Sequence, residues 1–379
     1  MNLVRDKEII FDREDLENLF ILKKFPVFMG CVEDMDAKKD LYEDFIIDIS
    51  KSTGIPQVRN LIPLNVLYDS EHSSGTIGKI WHDHHKAFAD FIQSSANPTR
   101  VFEIGGLHGI LSKYYSEIST LDSWTILEPN PIPVDDCPAK FISGFFEKSF
   151  TADSEFDACV HSHLFEHIYD PKSFVEKLKE FIPEGKDLFF SIPNIKEMLE
   201  RKYTNAINFE HTFFLSEELA IFLMESHGFT LNKKEKFLDD HSIFFHFTRE
   251  SLKDEIKLLI NDYLTNKQIM IHWYQHHLNE AKMLDEAINE KEREVFLFGA
   301  HIFSQTLLNF GLNEKKIQCI LDNDKAKHNK RLYGTNLTVR SPSILKDLKN
   351  PVIILRAGVY NNEIKQQILE DINDSAVII

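Results

Sequence analysis

The sequence predicts an α/β protein with a largely parallel central sheet, followed by a second and smaller α/β unit. The first observation is that apolar strand-like runs alternate with helical patterns between Thr99 and Arg249, as in a parallel sheet covered by helices. The second is a further strand signal, from Glu294 to Gly299, which opens the unit that reaches Ile379. The third is a segment between them, residues 251–292, that has helical spacing and contains no proline or glycine.

Composition and charge narrow the class of protein. The chain has 379 residues, enough for two or three units with separate cores. Its formal net charge of −17 argues against binding to a nucleic-acid backbone, which needs a basic face. The N-terminus is charged and no long apolar run occurs, so we predict neither a signal peptide nor a membrane span. The four cysteines form no Cys-x-x-Cys pair, so we expect a reduced, cytoplasmic protein without a thiolate metal site.

The individual elements are predicted in chain order. Residues 1–95 contain short β-like runs and then a helix from about Thr76 to Gln93. The strands predicted for the central region are Val101–Ile104, Thr125–Leu127, Ala158–Val160 and Leu188–Ile192. The segment Ser251–Glu292 is predicted to form one long helix, or two, connecting domains.

A glycine-rich turn after the first central strand predicts a ligand site. Gly105, Gly106 and Gly109 lie between this strand and a helical pattern. Glycines there let a ligand approach the backbone, and the N-terminus of the helix supplies N–H donors. The G-G-x-x-G spacing differs from the G-x-G-x-x-G that a dinucleotide fold prefers. Glu103, two residues before the first glycine, could fix the loop or meet the amino group of a methionine moiety.

Glu128 ends the second predicted strand, 25 residues after Glu103. A carboxylate at that edge of the sheet can accept hydrogen bonds from both hydroxyls of a ribose. We interpret Glu128 and the following Pro129 as part of the same ligand site. The alternative is a generic α/β turn that carries a surface glutamate.

A third polar segment follows the strand Ala158–Val160 and runs from His161 to Pro171. It lies where the carboxyl edge of the sheet is expected, which is where ligands bind in open α/β sheets. Here the chain resembles class I S-adenosylmethionine (SAM) methyltransferases, whose fourth strand commonly ends in a Ser-His-x-x-Glu-His-x-x-Asp-Pro-like segment. The resemblance implies a Rossmann-like class I methyltransferase core that binds SAM and releases S-adenosylhomocysteine. The predicted cofactor-binding residues are Glu103, Gly105, Gly106, Gly109, Glu128, Pro129, Phe146, His161 and His163.

The histidines of this segment leave two interpretations open. His161, His163 and His167 could form a metal site, because imidazole is a common metal ligand. The family segment usually carries histidines like His163 and His167 without a metal. We therefore predict no metal ligands and expect these side chains to shape the cofactor loop and to cap the next helix.

Over a longer range, from about residue 18 to the end, the chain resembles the three-domain sugar C-methyltransferases of deoxysugar biosynthesis. The units that this resemblance implies are an N-terminal α+β substrate-binding domain (1–75), a SAM-binding domain (76–250), a helical linker (251–292) and a C-terminal Rossmann-like domain (293–379). The family's N-terminal domain usually holds zinc through two Cys-x2-Cys pairs. Here Ser50 to Gly54 takes the place of the second pair and the first has no counterpart, so we expect no structural zinc.

The same resemblance implies the residues of an acceptor site. Asn208-Phe209-Glu210-His211 resembles the family's Tyr-His-Glu-His active-site segment, with Asn208 in place of the tyrosine. We predict His211 as the general base, because a neutral histidine suits this role, and Glu210 as a residue that orients a histidine. The alternate bases are His82, His84, His85 and His241. The predicted substrate-binding residues are Tyr68, Ser73, Ser74, His82, His85, Asn194, Asn208 and His241.

These residues predict a SAM-dependent methyltransferase acting on a nucleotide-activated sugar, for surface polysaccharide or glycan biosynthesis. Carbon methylation requires loss of a proton beside a ketone, and Asn208 cannot titrate as the family's tyrosine does. This favours O-methylation of a sugar hydroxyl over C-methylation of a keto-deoxysugar. A non-catalytic sugar-nucleotide binding protein is the alternative from another class. We expect no nucleic-acid or membrane partner, and the sequence leaves a homodimer open.

Overall fold

The structure is a computed structural model that describes residues 3–68, 78–152, 155–250, 258–289 and 293–379. The predicted substrate-binding residues Ser73 and Ser74 lie outside the described residues, and so does Thr76 at the predicted start of a helix. Within the described ranges, no helix combines the length and the apolar character needed to cross a bilayer.

The N-terminal unit is built on a small antiparallel sheet. Its strands are β1 (Leu3–Val4), β2 (Leu16–Pro26), β3 (Cys31–Val32), β4 (Tyr42–Ser50), β5 (Pro56–Val58) and β6 (Asn60–Leu61). Strands β2, β4 and β5 pair in that order, and β1 pairs with β6. Phe20 and Leu22 of β2 are buried with Phe45 and Ile47 of β4, so this sheet has one apolar face to cover.

The central unit contains a seven-stranded sheet. Its strands are β7 (Arg100–Ile104), β8 (Ser123–Glu128), β9 (Lys140–Ser143), β10 (Ala158–Ser162), β11 (Asp187–Pro193), β12 (Phe229–Phe237) and β13 (Ser242–Arg249). They lie in the order β12-β13-β11-β10-β7-β8-β9. Strands β7 to β11 are parallel, and β13 runs antiparallel to both its neighbours. The predicted parallel α/β sheet and its four predicted strands are confirmed.

Helices cover both faces of this sheet. The helices up to the end of the central unit are α1 (Leu64–Leu67), α2 (Lys79–Ser95), α3 (Ile110–Ile118), α4 (Pro171–Phe181), α5 (Ile195–Glu200) and α6 (Glu217–Ser226). One face buries residues of α2 and α3, and the other buries residues of α4 and α6. Helix α4 begins with Pro171, and the side chain of Asp170 caps it by accepting from the N–H of Ser173.

The strand order locates a crevice at one edge of the sheet. From β7 the chain proceeds outward through β8 and β9, and it then returns to place β10 and β11 on the other side of β7. Ligands bind open α/β sheets at the carboxyl ends of the strands where the order reverses. The predicted glycine loop follows β7 and the predicted histidine segment follows β10, so the fold brings the two to this point.

A long helix, α7 (Tyr263–Asn289), follows the central unit. The predicted helix therefore forms, although residues 258–262 before it are not helical. Ile269, Met270, Trp273 and Leu284 are buried in a core that this helix shares with β2 and β4. Helix α7 is thus a packed part of the core and not a free linker.

The C-terminal unit is a second, smaller parallel sheet. Its elements are β14 (Val295–Phe298), α8 (Ile302–Asn309), β15 (Ile317–Leu321), β16 (Arg331–Leu332), β17 (Val339–Arg340), β18 (Val352–Leu355), α9 (Asn361–Gln366) and β19 (Val377–Ile378). Strands β17-β15-β14-β18-β19 lie in that order and are parallel. Strand β16 pairs instead with β3, which joins this unit to the N-terminal one.

The N-terminal and C-terminal units share one hydrophobic core. Phe25, Phe45, Trp273 and Leu297 belong to a single cluster of buried side chains. The expectation of separate cores is therefore confirmed only in part. The C-terminal unit has a core of its own that includes Phe296, Phe298 and Leu321, but its other buried side chains belong to the shared cluster.

Candidate active site

The turn after β7 depends on its three glycines. Gly105 has φ of +70°, and its N–H donates to a carbonyl of β8 at 2.9 Å. A Cβ atom on Gly106 would lie 2.8 Å from the carboxyl carbon of Glu103. On Gly109, where φ is +67°, it would lie 2.3 Å from a cysteine sulfur. Glycine is therefore required at these positions, and the turn brings the N-terminus of α3 to the crevice.

Glu103 lies beneath this loop. Its carboxylate accepts a hydrogen bond of 2.7 Å from the indole N–H of Trp124, and the residue is only 2% exposed. Burial raises the pKa of Glu103 to about 8, although the Trp124 hydrogen bond acts in the opposite direction. A largely protonated side chain is poorly suited to a cationic amino group. The position therefore favours the predicted loop-fixing role.

Glu128 ends β8 with both carboxylate oxygens directed at the backbone of the crevice. It accepts from the N–H of Gly106 at 3.2 Å and from that of Asn130 at 3.1 Å. Asn130 also donates from its amide to the carbonyl of Tyr68 at 2.9 Å. Pro129 lies in the turn between them. These bonds tie the glycine loop to the N-terminal unit and hold a half-buried carboxylate where a ribose is predicted to bind.

Phe146 follows β9 at the same edge of the sheet. It is half-buried, and its ring centroid lies 5.2 Å from that of Phe181 and 6.0 Å from that of Phe174. Packing against α4 holds the ring at the rim of the crevice. The contact of Phe146 with the cofactor stays a prediction.

The structure places His161 inside the aromatic core, which argues against its predicted contact with the cofactor. Its ring is fully buried and lies parallel to that of Phe190, with 4.9 Å between the centroids. Phe165 and Phe174 meet the same ring edge-on. Burial lowers the pKa of His161 to about 3. The physical reason is that His161 lies within β10, where side chains face the helix layers, and not after its carboxyl end.

His163 and His167 belong to different groups of side chains. The ligand nitrogens of His163 lie with those of His84 and His241, whereas His167 lies with Glu166 and His211. Within each group these atoms lie within 4.8 Å of one another. His161 belongs to neither group, so the metal site that the sequence left open across His161, His163 and His167 does not form.

The second of these groups lies beside the N-terminal unit. The hydroxyl of Tyr68 lies 3.0 Å from Nδ1 of His167, and the ring centroids of His167 and His211 are 5.4 Å apart. Glu166 is fully buried, with one oxygen 3.8 Å from Nε2 of His167. Neither Glu166 nor His167 was among the residues predicted for the acceptor site. Their adjacency to Tyr68 depends on contacts between residues about a hundred positions apart, which local patterns do not reveal.

The N-terminal unit holds the segment that carries His211. Strand β5 exchanges backbone hydrogen bonds with Thr212 and Phe214. The guanidinium of Arg5 donates to the carbonyls of Thr212 and Tyr169 at 2.6 Å each. The two walls of the site are therefore fastened together by hydrogen bonds that are largely buried.

His211 has the tautomer and the charge state that a general base needs. Its Nδ1 lies 3.0 Å from the carbonyl oxygen of Ala206. A carbonyl only accepts, so Nδ1 carries the proton and Nε2 carries the lone pair. Burial lowers the pKa of His211 to about 4, and the nearby His167 acts in the same direction. The ring is therefore neutral near pH 7.

The surroundings of Asn208 and Glu210 differ from those that their predicted roles require. The side-chain oxygen of Asn208 accepts from the N–H groups of Glu210 and His211, and its amide donates to a carbonyl three residues earlier. These bonds argue against the predicted substrate contact, because Asn208 is already occupied in shaping the turn before His211. Glu210 is exposed. The carboxylate that lies beside the histidines is that of Glu166 and not that of Glu210.

Two models of known protein families match the sequence. Residues 80–234 match a family model described as a methyltransferase domain, and residues 248–377 match one described as a C-methyltransferase C-terminal domain. This chain is a SAM-dependent methyltransferase. No curated protein matches the sequence of the methyltransferase.

Solved structures resemble part of the methyltransferase. The N-methyltransferase NodS of Bradyrhizobium japonicum with S-adenosylhomocysteine has 11% identity and a TM-score of 0.34, covering 48% of this chain and 93% of NodS. Magnesium protoporphyrin IX methyltransferase of Synechocystis has 9% identity and a TM-score of 0.36, covering 47% of this chain and 90% of its own. A Haloferax volcanii complex of the Trm112 methyltransferase activator with a methyltransferase shows 12% identity and a TM-score of 0.36. The match covers 45% of this chain and 92% of the matched chain.

The histidines of α2 differ in what they contact. His84, a predicted alternate base, is fully buried, which argues against that role because no acceptor reaches it. His82 is half-buried and its Nδ1 lies 2.9 Å from the hydroxyl of Tyr114. His85 is half-buried, with its ring centroid 5.2 Å from that of His84. The substrate contacts predicted for His82 and His85 stay predictions for the methyltransferase.

Asn194 supports the turn between β12 and β13. It is 8% exposed, and its side-chain amide donates to the carbonyl of Asp239 at 2.7 Å. Its N–H donates to the carbonyl of His241 at 2.9 Å. Both bonds hold the turn that carries His241, and the substrate contact predicted for Asn194 stays a prediction.

A cleft of about 200 Å³ lies beside α5 and α6 of the methyltransferase. Its polar lining includes Lys196, Glu197, Glu217 and Lys236. Neither the glycine loop nor the histidine groups contribute to it. We therefore assign the candidate site from the hydrogen bonds around the crevice and not from the cleft volume.

Proposed function

We propose that the methyltransferase transfers the methyl group of SAM to a hydroxyl of a nucleotide-activated sugar, for surface polysaccharide or glycan biosynthesis. The observation that carries the proposal is the neutral His211, whose Nε2 has a lone pair beside the Tyr68–His167 pair. SAM supplies an electrophilic methyl group. The protein therefore has to position the acceptor in line and to remove its proton.

Glu166 supports this base electrostatically. Burial alone raises the pKa of Glu166, but the neighbouring side chains of His163, His167 and His211 lower it below the usual range. Glu166 is therefore an anion between histidines. An anion at this position stabilises the imidazolium that forms when His211 takes the hydroxyl proton.

The hydrogen bonds around His167 define a consistent proton arrangement. Burial raises the pKa of Tyr68 well above its ordinary value, so its hydroxyl keeps the proton and donates to Nδ1 of His167. His167 then presents its Nε2–H toward Glu166. Tyr68 and His167 thus form one wall of the site, beside the ring of His211.

The sugar-nucleotide acceptor is supported by resemblance and by the location of the site. Residues 208–214 and the C-terminal segments resemble the sugar methyltransferases. The site lies where the N-terminal unit meets the methyltransferase domain, because Tyr68 comes from one and His167 and His211 from the other. An acceptor larger than SAM would contact both units.

C-methylation of a keto-deoxysugar is the second candidate. It is favoured by the match of residues 248–377 to the C-methyltransferase C-terminal domain. Tyr68 also provides a hydroxyl donor that would stabilise an enolate. The O-methyl proposal takes precedence because the residue in the place of the family's active-site tyrosine is Asn208, which does not titrate.

The experiment is to incubate the full-length protein with SAM and a panel of nucleotide sugars, and to identify products by mass spectrometry and NMR. A methyl carbon bonded to oxygen resonates far downfield of one bonded to carbon. We expect an O-methyl product. A C-methyl product would establish the second candidate, and methyl transfer to none of the sugars would reject the acceptor class.

Replacing His211 tests the base directly. We expect His211→Asn to lower turnover by ~10²–10⁴, with SAM affinity unchanged, because loss of a general base has this effect. The active form is the neutral ring with a pKa of about 4, so kcat/KM should stay constant from neutral pH down to about pH 5 and fall below it. The control is His272→Asn, which changes an exposed residue of α7. Full activity in His211→Asn would remove this assignment.

A further inference from the structure

Three imidazoles from separate elements meet beside the methyl-transfer site. His84 comes from α2, His163 follows β10, and His241 lies in the turn before β13. Their ring centroids are 5.2, 5.4 and 6.0 Å apart. Imidazoles around a tetrahedral zinc, with Zn–N bonds of ~2.0–2.1 Å, have their centroids about 5 Å apart. The rings thus already have the spacing of a three-histidine metal site.

His84 offers ring nitrogens that make no hydrogen bond to the described residues. It is fully buried, and neither ring nitrogen has a hydrogen-bond partner in the described part of the chain. A buried polar group without a partner costs free energy and calls for an explanation. Burial, followed by the charges of His163, His85 and His241, lowers the pKa of His84 well below its ordinary value. A neutral imidazole is the form that binds metal.

His163 has the surroundings of a metal ligand. Its Nδ1 lies 3.3 Å from a carboxylate oxygen of Glu166. Metal-binding histidines almost always donate their second N–H to a carboxylate or carbonyl in this way. Its Nε2 and the Nδ1 of His241 lie 2.7 and 2.6 Å from the hydroxyl of Ser242, so both nitrogens are aimed at one point.

The other two groups with metal-ligand chemistry among the described residues are less suitable. In the group His276, His277 and Glu280, the guanidinium of Arg356 already lies 2.8 Å from the carboxylate. In the group Glu166, His167 and His211, Tyr68 and a backbone carbonyl each occupy one nitrogen of a histidine. The proposed group differs because neither ring nitrogen of His84 has a hydrogen-bond partner within the described ranges, although the hydroxyl of Ser242 lies against one nitrogen of His163 and one of His241.

We propose that His84, His163 and His241 bind a divalent transition-metal ion of the class that prefers imidazole, with Zn²⁺ as its representative. Glu166 is the positioning residue that holds His163. Such an ion would connect α2, β10 and β13 beside the methyl-transfer site. The proposal does not depend on which acceptor is methylated.

The test is a zinc titration of the full-length, metal-stripped protein, produced without a polyhistidine tag and followed by calorimetry. We expect one Zn²⁺ per chain. His84→Ala, His163→Ala and His241→Ala should each lower the affinity by more than ~100-fold, and Glu166→Gln by ~10–100-fold. The control variant His272→Ala should bind as the wild type does, since this exposed residue lies outside the three groups.

Several outcomes overturn the proposal. They are the absence of zinc binding to the wild type, binding that survives all three substitutions, and binding that is lost in His276→Ala or His211→Ala with these three histidines intact. Circular dichroism and melting temperatures identify variants that do not fold. A further measurement uses only the wild type, so it does not depend on whether the variants fold. The visible spectrum of bound Co²⁺ should indicate nitrogen ligands in a site of low coordination number.

Discussion

Three carboxylates around the crevice act differently because their surroundings differ. Glu103 is buried beside the indole of Trp124, so its pKa rises and it holds the proton. Glu128 is half-buried at the end of β8 and accepts two backbone N–H bonds. Glu166 is fully buried among histidines that hold it as an anion. The role of each carboxylate therefore follows from its neighbours.

Glu128 is expected to dominate cofactor affinity. The variant Glu128→Ala should weaken binding of SAM or S-adenosylhomocysteine by about 1.5–3 kcal/mol, because charge-assisted hydrogen bonds to the ribose are lost. Calorimetry measures this difference. The matched control is Glu103→Gln, which keeps the shape of a carboxyl that is largely protonated and should bind the cofactor nearly as the wild type does. Equal losses in the two variants, or none in Glu128→Ala, would contradict the assignment.

At the scale of elements, the position of a histidine relative to the end of β10 decides its role. His161 lies within the strand and is enclosed by aromatic rings. His163 lies just beyond the strand, where it meets Glu166 and Ser242. The alternation of side chains along a strand and its loss at the strand end account for this difference.

Replacing His161 by phenylalanine should stabilise the protein, and more so at acidic pH. The pKa of His161 is about 3 in the folded protein against 6.5 for the ordinary value. Between these values the unfolded chain takes up a proton that the folded one does not, so the wild type loses stability as the pH falls through this window. The advantage of His161→Phe should therefore grow by about 1.4 kcal/mol per pH unit below about pH 6.5. Urea unfolding at two pH values measures it.

A matched histidine on the same sheet provides the control. His246 stacks on Phe189 with 4.3 Å between centroids, but its Nε2 lies 2.9 Å from a carboxylate oxygen of Asp187. His246→Phe loses this hydrogen bond and should destabilise the protein. Loss of SAM affinity in His161→Phe would instead support the predicted contact between His161 and the cofactor.

At the scale of the whole molecule, the N-terminal and C-terminal units are joined by a buried ion pair. The guanidinium of Arg331 makes two hydrogen bonds of 2.6 Å to the carboxylate of Asp40. The two side chains are only 1% and 4% exposed. Together with the common core around α7, this pair makes the arrangement of the two units part of the fold.

Breaking this pair should destabilise the protein strongly. Asp40→Ala should lower the free energy of unfolding by about 3–5 kcal/mol, because it leaves the Arg331 charge buried without its partner. The free energy of unfolding should fall less in the double variant Asp40→Leu/Arg331→Met than in Asp40→Ala, because no buried charge is left without a partner. Lys79→Ala breaks an exposed pair with Asp83 and should leave the free energy of unfolding nearly unchanged, because water screens such a pair. An Asp40→Ala variant as stable as Lys79→Ala would show that the pair does not hold the units together.

Four strands of the central sheet, the glycine loop and the class of enzyme could be predicted from the sequence, because these depend on local patterns. Apolar runs, the spacing of Gly105, Gly106 and Gly109, and the acid at Glu128 are all readable within short windows. Only the tertiary structure decided which histidines meet. His84 comes from α2, His163 follows β10 and His241 precedes β13, and Tyr68 approaches His167 from another unit. Local periodicity carries no information about such contacts, which follow from sheet order and from the packing of the units on one core.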